Sequence, residues 1–272
     1  MDFLNGVINS ILRGYFAALS WAPAGISLAV ISVLAGIGML WVFGKTSKPA
    51  RIRAVKRRVQ AHLLEIRVFG EEPAVVWSAQ KSLVAWNMRY MGLMLMPAVW
   101  MAIPLSILLI HLEAFYGRSP LPVGRATIVT MAMRAPLNPE SAAPVLRAPQ
   151  GIAVETPGVR AIDDGQISWR IRPSEPVSGS LSFQVDGQTI EKKIEAGNGL
   201  RLVPGMRVNS LLGSVVHPDE PRIQSPSVGW IDVRYPDGSV AIFGIELHWL
   251  IWFTIISMLA ALLLKKRFGV VF

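Results

Sequence analysis

Apolar positions along this chain follow three patterns, and their order sketches its organisation. Residues 2–20 repeat at helical spacing. Leu4, Ile8, Ile11, Tyr15 and Leu19 form a stripe widened by Phe3, Val7, Leu12 and Phe16, with Asn5, Asn9, Ser10 and Arg13 largely elsewhere on the wheel. Such a helix lies in a membrane interface rather than across it. The second pattern is the uncharged run, seen at Gly25–Gly44, Met91–Ile110 and Leu247–Leu264. About 20 residues rising about 1.5 Å each reach about 30 Å, the thickness of bilayer hydrocarbon. The third pattern fills about Pro120 to Gly244, where prolines and glycines punctuate short β-rich segments: Ala126–Met133, Gln166–Ile171, Leu181–Val185, Thr189–Ile194, Gly229–Tyr235 and Ser239–Ile245. Asp186-Gly187 and Pro236-Asp237-Gly238 read as turns between strands. Together these segments point to one antiparallel β-sandwich of immunoglobulin-like architecture.

Between the first two uncharged runs lies a different helical pattern. Ile52, Val55, Val59, Leu63 and Ile66 make a coiled-coil-like seam, with arginines and lysines on the other faces. Gly70 is placed to end this helix, and Pro73 to open the next, with Glu71 and Glu72 near its positive end. Val76, Leu83, Trp86 and Tyr90 line one side of the second helix, so the two should pack as an antiparallel hairpin. Pro97 and Pro104 interrupt backbone bonding in the run that follows.

Charge orients the scheme. Residues 45–90 carry ten Lys/Arg against three acids, residues 111–246 carry thirteen against fourteen, and Lys265-Lys266-Arg267 closes the last run. Excess positive charge beside uncharged runs is the positive-inside pattern of a bacterial-type inner membrane protein, with the N-terminus outside and the C-terminus cytoplasmic. The expected class is therefore membrane α + β. It has an interfacial helix (1–22), transmembrane helices at 23–44, 91–112 and 247–264, a cytoplasmic basic hairpin (45–90), an extracytoplasmic β-sandwich (113–246) between spans 2 and 3, and a cytoplasmic tail (265–272). A secretory leader ending at Ala22-Pro23-Ala24 is the competing reading of the start; it lacks a positive charge ahead of its apolar residues. Although 52% of residues are hydrophobic and the net charge is +9, no soluble basic domain is available to bind DNA.

Candidate chemistry is sparse. The chain has no cysteine, which excludes disulfides and thiolate metal sites, and it has no phosphate-binding glycine loop, nucleophile elbow or zinc helix motif. No cofactor is expected. His111, Glu113, Glu246 and His248 at the outer ends of spans are weak metal candidates, because residues two apart on a helix point about 200° apart. An enzyme built on these two His/Glu pairs is the last of three functional readings. Arg51, Arg53, Lys56, Arg57 and Arg58 form a basic face suited to anionic lipid or client, and Asn87 and Arg89 stand at the inner mouth of the second span.

The order of an amphipathic outer helix, a span, a basic helical hairpin (Lys45–Arg67), a proline-bearing span (Met96-Pro97 through Ile103-Pro104) and a last span with a basic tail resembles the YidC/Oxa/Alb insertase superfamily, in its three-span branch. The resemblance covers roughly half the chain. Bacterial members carry an arginine in the first span, which Gly25–Gly44 lacks, and the large β-insertion is atypical. It implies a mechanism without bond chemistry: an inward-open groove lowers the cost of passing polar segments through hydrocarbon, and the basic hairpin attracts nascent membrane proteins or the ribosome. Arg51, Arg53, Lys56, Arg57, Arg58 and Arg89 are its candidate contacts, with Ser27, Ser32 and Ser106 adding polarity. The alternative expectation is an accessory subunit that binds a periplasmic partner through the β-domain.

Overall fold

The computed structural model describes residues 2–19, 21–47, 49–137 and 144–269, with side chains from Asn5 onward. The fold mixes helix and antiparallel sheet. Two helices are long and apolar enough to cross a membrane: α2 (Ala24–Thr46), and α4 (Pro73–Leu112) with the π-turn Glu113–Gly117 that continues it. The chain divides into two compact units. One comprises the chain through Ser27 with Leu108–Trp249; the other comprises Leu28–Ile107 with the chain from Leu250 onward.

In the second unit, α3 (Pro49–Val68) and the first half of α4 form the helical hairpin. Both helices open on a proline, whose missing N–H costs nothing in a first turn. The seam closes unevenly. Ile52 and Val55 are buried, Val59 and Ile66 are half-buried, and Leu63 is exposed. On the partner arm Ala79 is buried, while Val76, Leu83, Trp86 and Tyr90 are half-buried. The arm and the apolar run are one uninterrupted 40-residue helix that passes through both Pro97 and Pro104. A third apolar helix, α6 (Trp249–Leu264), has 16 residues and spans about 24 Å. It starts two residues later than its hydropathy predicts, because Leu247 and His248 belong to a strand. Leu40 and Phe43 of α2 pack with Met94, Met101, Ala261 and Leu264, and a Cβ on Gly36 would meet the Ser257 carbonyl at 2.7 Å. Small residues thus set how closely α2 and α6 approach.

The first unit is a two-sheet sandwich with α1 (Asp2–Ala18) docked on it. One sheet orders β3 (Ile152–Val154), β5 (Gln166–Pro173), β1 (Thr127–Met133), β9 (Val228–Val233) and β8 (Arg207–Val208), with β4 (Val159–Ala161) also on β5. The other orders β2 (Val145–Arg147), β6 (Val177–Val185) and β7 (Gln188–Ala196). Alternate residues of both sheets meet in one core, among them Val129, Met131, Trp169, Ile171, Phe183 and Ile194. Asp186 (φ 48°) and Gly187 (φ 75°) make the tight β6–β7 turn, both in the left-handed region such a turn needs. The turn expected at Pro236-Asp237-Gly238 does not join two paired strands. β9 pairs with β1 and β8, while β10 (Ser239–Ile242) pairs with β11 (Ile245–His248) in a separate ribbon whose turn is Phe243-Gly244. The single strand expected over Ser239–Ile245 is therefore folded back on itself. Pro236 accepts instead from Ser119 N–H, and Asp237 bridges Arg118.

Candidate functional site

The basic face predicted on α3 is solvent-facing. Arg51, Arg53, Lys56, Arg57 and Arg58 are all exposed, on the sides of the helix opposite the buried Ile52 and Val55. Arg58 reaches across the hairpin and lies 5.4 Å from the centre of the Trp86 ring. Arg89, one turn further along α4, lies 5.3 Å from the same ring. One indole thus holds two guanidiniums by cation–π attraction. Asn87 is exposed beside them. Polarity within the apolar helices is turned inward upon itself. Ser32 donates to the Leu28 carbonyl at 2.6 Å and Ser257 to the Thr254 carbonyl at 3.2 Å, and both side chains are buried. Ser106 is exposed.

Methionine recurs around α4. Met88, Met91 and Met96 are exposed, and Met94 and Met101 pack beside Leu40 and Phe43. These are five of the chain's eleven methionines, within fourteen residues. Unbranched, polarizable side chains give an apolar surface that adapts to different shapes.

The four weak metal candidates are not brought together as ligands. His111 is buried on α4, Glu113 accepts from Trp249 Nε1 at 3.1 Å, Glu246 is exposed on β11, and His248 lies beside the Trp249 ring. Among the described residues no group of three or more His, Cys, Asp or Glu is placed to hold a metal ion.

Sequence reasoning missed two features of the first unit. Asn5 and Asn9 of α1 donate to the carbonyls of Ser214 and Pro218, at 3.2 and 3.0 Å. Leu12 is buried and Phe16 stacks on Phe115 with centroids 3.9 Å apart. The helix therefore docks through a mixed face, and Val7 and Ile11 of its apolar stripe stay exposed.

The second missed feature is a buried charge cluster under β7. Lys192 is wholly buried and its Nζ lies 2.6 Å from Glu220 Oε2. Glu220 Oε1 accepts from Lys193 N–H at 2.7 Å, and Asp219 Oδ2 accepts from Gly205 N–H at 3.1 Å, with Arg118 Nη1 4.0 Å away. Burial lowers the Lys192 pKa against the pull of Glu220. Burial also raises Asp219 to about 6 and pushes Asp232 up, and it lowers His217, with Arg118 adding to that effect. The signal was present in the sequence: Lys192 is in phase with Ile190, Ile194 and Ala196, the inward residues of the strand.

Compared with known proteins, the chain matches no family model, no curated protein and no solved structure.

Proposed function

We propose that this chain is an insertion or assembly factor for membrane proteins, anchored by α2, α4 and α6 in a bacterial-type inner membrane with the hairpin in the cytoplasm and the sandwich outside. The supporting observation is the continuity of α4. A single helix carries one arm of the cationic hairpin and, directly after it, a Met-rich apolar run. A client arriving at the basic face through long-range attraction is thereby handed to an adaptable apolar surface without crossing a joint. The aromatic clamp on Arg58 and Arg89 keeps two of the cations at that junction. A photo-crosslinking side chain at Met91 or Met96 should capture nascent membrane proteins during translation, and one at Val159 on β4 should not. Equal capture at all three positions, or none at Met91 and Met96, refutes the proposal.

A second reading, an accessory subunit with a partner outside, draws on a cleft of about 600 Å³ in the first unit. Arg13, Lys193, Glu195 and Arg201 surround an apolar floor of Phe16 and Phe115, a mixture suited to a protein side chain. Under this reading Arg201→Glu abolishes capture of a partner by the full-length protein, while insertion of other membrane proteins is unaffected.

A further inference from the structure

The β10–β11 ribbon stands apart from both sheets of the sandwich, and its tip is unusual in chemistry and in backbone. Phe243 is 97% exposed and Ile245 is 54% exposed. Phe243 also sits at φ 53°, in the left-handed region that glycine and asparagine fill readily and that bulky side chains avoid. The protein thus holds an aromatic ring at a position the backbone disfavours, and gives that ring nothing of its own to pack against. Polarity is graded along the ribbon. Val240 to Ile245 is uncharged through the turn, Glu246 follows one pair back from it opposite Ala241, and Ser239 and His248 face each other at the open end.

The ribbon's surroundings say what meets the tip. A Cβ on Gly25 would lie 2.7 Å from the Ala241 carbonyl and 2.9 Å from Ile242 Cγ1, so the residues just before the turn rest on the first turn of α2. At its other end β11 passes into α6 with no intervening residue. An uncharged tip therefore lies where one apolar helix begins, on a strand that becomes another. A water-facing loop at that place would be polar, and a bare phenyl ring there matches the amphipathic boundary between headgroups and acyl chains, where aromatic side chains concentrate.

From this placement we infer that Phe243, with Ile245, is a lipid-facing wedge seated in the headgroup–acyl boundary at the membrane surface where α2 begins. The inference rests on α2 crossing the bilayer. It adds a second attachment of the sandwich to the membrane, through side chains rather than through the chain itself.

The absence of cysteine makes the test direct. Phe243→Cys, Leu34→Cys and Asp163→Cys, each in the full-length protein, are labelled with an environment-sensitive fluorophore and reconstituted into phosphatidylcholine vesicles. Leu34 is exposed on α2 and Asp163 is exposed on the sandwich. Lipids brominated along the acyl chain should quench position 243 to a level between the other two, and most strongly when the bromines are near the headgroup. Gly25→Leu, which pushes the ribbon off α2, should remove most of the quenching at 243 and leave that at 34. If position 34 is quenched and 243 behaves like 163, the wedge is refuted and the membrane reading of α2 stands. If neither 34 nor 243 is quenched, the membrane reading fails as well. Shielding of 243 from aqueous iodide without quenching by bromolipid means that protein covers the tip, which also overturns the inference.

Discussion

Replacing Lys192 with methionine tests whether the charge cluster under β7 works as a pair. Lys192 and Glu220 side chains are 0% and 3% exposed and 2.6 Å apart. Met fills nearly the same volume, so the change removes the cation without opening a cavity. Glu220 is left buried with one remaining donor, Lys193 N–H, and Asp219 and Asp232 lose a neighbouring positive charge. Removing one member of a buried pair costs about 3–5 kcal/mol, a large share of the ~5–15 kcal/mol that holds a typical domain. Glu220→Gln should cost less, about 1–3 kcal/mol. Burial already weakens the hold of Lys192 on its proton, so the amine can go neutral, and the Gln oxygen still accepts from Lys193. The double variant Lys192→Met/Glu220→Gln removes both charges of the pair and keeps that acceptor. It should recover to within about 1–2 kcal/mol of the native chain. Hydrogen exchange of the β6 and β7 amides in the full-length protein reads local opening free energy at the site. If the double variant loses as much as the two single variants added together, the pair is not coupled and the reasoning is wrong.

Further expectations follow from other sites. The Asp219 carboxyl binds its proton more tightly folded, at about 6, than at its ordinary 3.8. Its contribution is therefore full below the ordinary value and lost as pH rises through about 6, so Asp219→Asn should shrink whatever stability the sandwich gains between about pH 7 and pH 5, as read by thermal unfolding. His217, whose pKa is lowered, acts in the opposite sense and offsets part of that gain as pH falls below its ordinary 6.5. Gly187→Ala places a Cβ at φ 75° and should cost about 1 kcal/mol without altering the β6–β7 register, which exchange protection of Phe183 and Ile190 would verify. Reversing the charges of Arg51, Arg53 and Arg57 together should weaken binding to anionic vesicles at low salt and leave helicity unchanged, because all three are exposed. A loss of helicity would show that they are packed.

Local chemistry explains what could be read in advance. Gly70 and Pro73 bounded the hairpin, and Asp186-Gly187 placed the β6–β7 turn, because each acts on the backbone within a few residues. Exposure of the basic face followed from the phase of Ile52 and Val55 alone. Features that depend on pairing between distant segments were not legible. Pro236-Asp237-Gly238 has the composition of a hairpin turn, but β9 finds its partners 100 residues upstream in β1 and nearby in β8. Strands β2, β3, β4 and β8, two or three residues long, have no room to display a period. Asn5 and Asn9 looked like the wet side of an interfacial helix, since nothing local announces the carbonyls of Ser214 and Pro218. Lys192 is readable by phase, although a charged residue ordinarily marks a surface position. Asn87 and Arg89 stand out in the sequence as polar residues beside an apolar run, but the sharing of Trp86 between Arg58 and Arg89 requires the hairpin to be closed first.

The uninterrupted run of α4 has a mechanical consequence. Forty residues at about 1.5 Å each make a rod of about 60 Å, of which the proposed membrane anchoring would place about 30 Å in hydrocarbon. The remainder would be a lever arm of comparable length, with α3 held against it at Arg58 and Trp86. A tilt of about 10° at the membrane therefore sweeps the far end of the arm through about 5 Å, and a push of that size on the arm turns the embedded flank by the same angle. A load applied near Gly70 is thus felt as torque among Met91, Met94 and Met96 without any residue between them changing its backbone conformation.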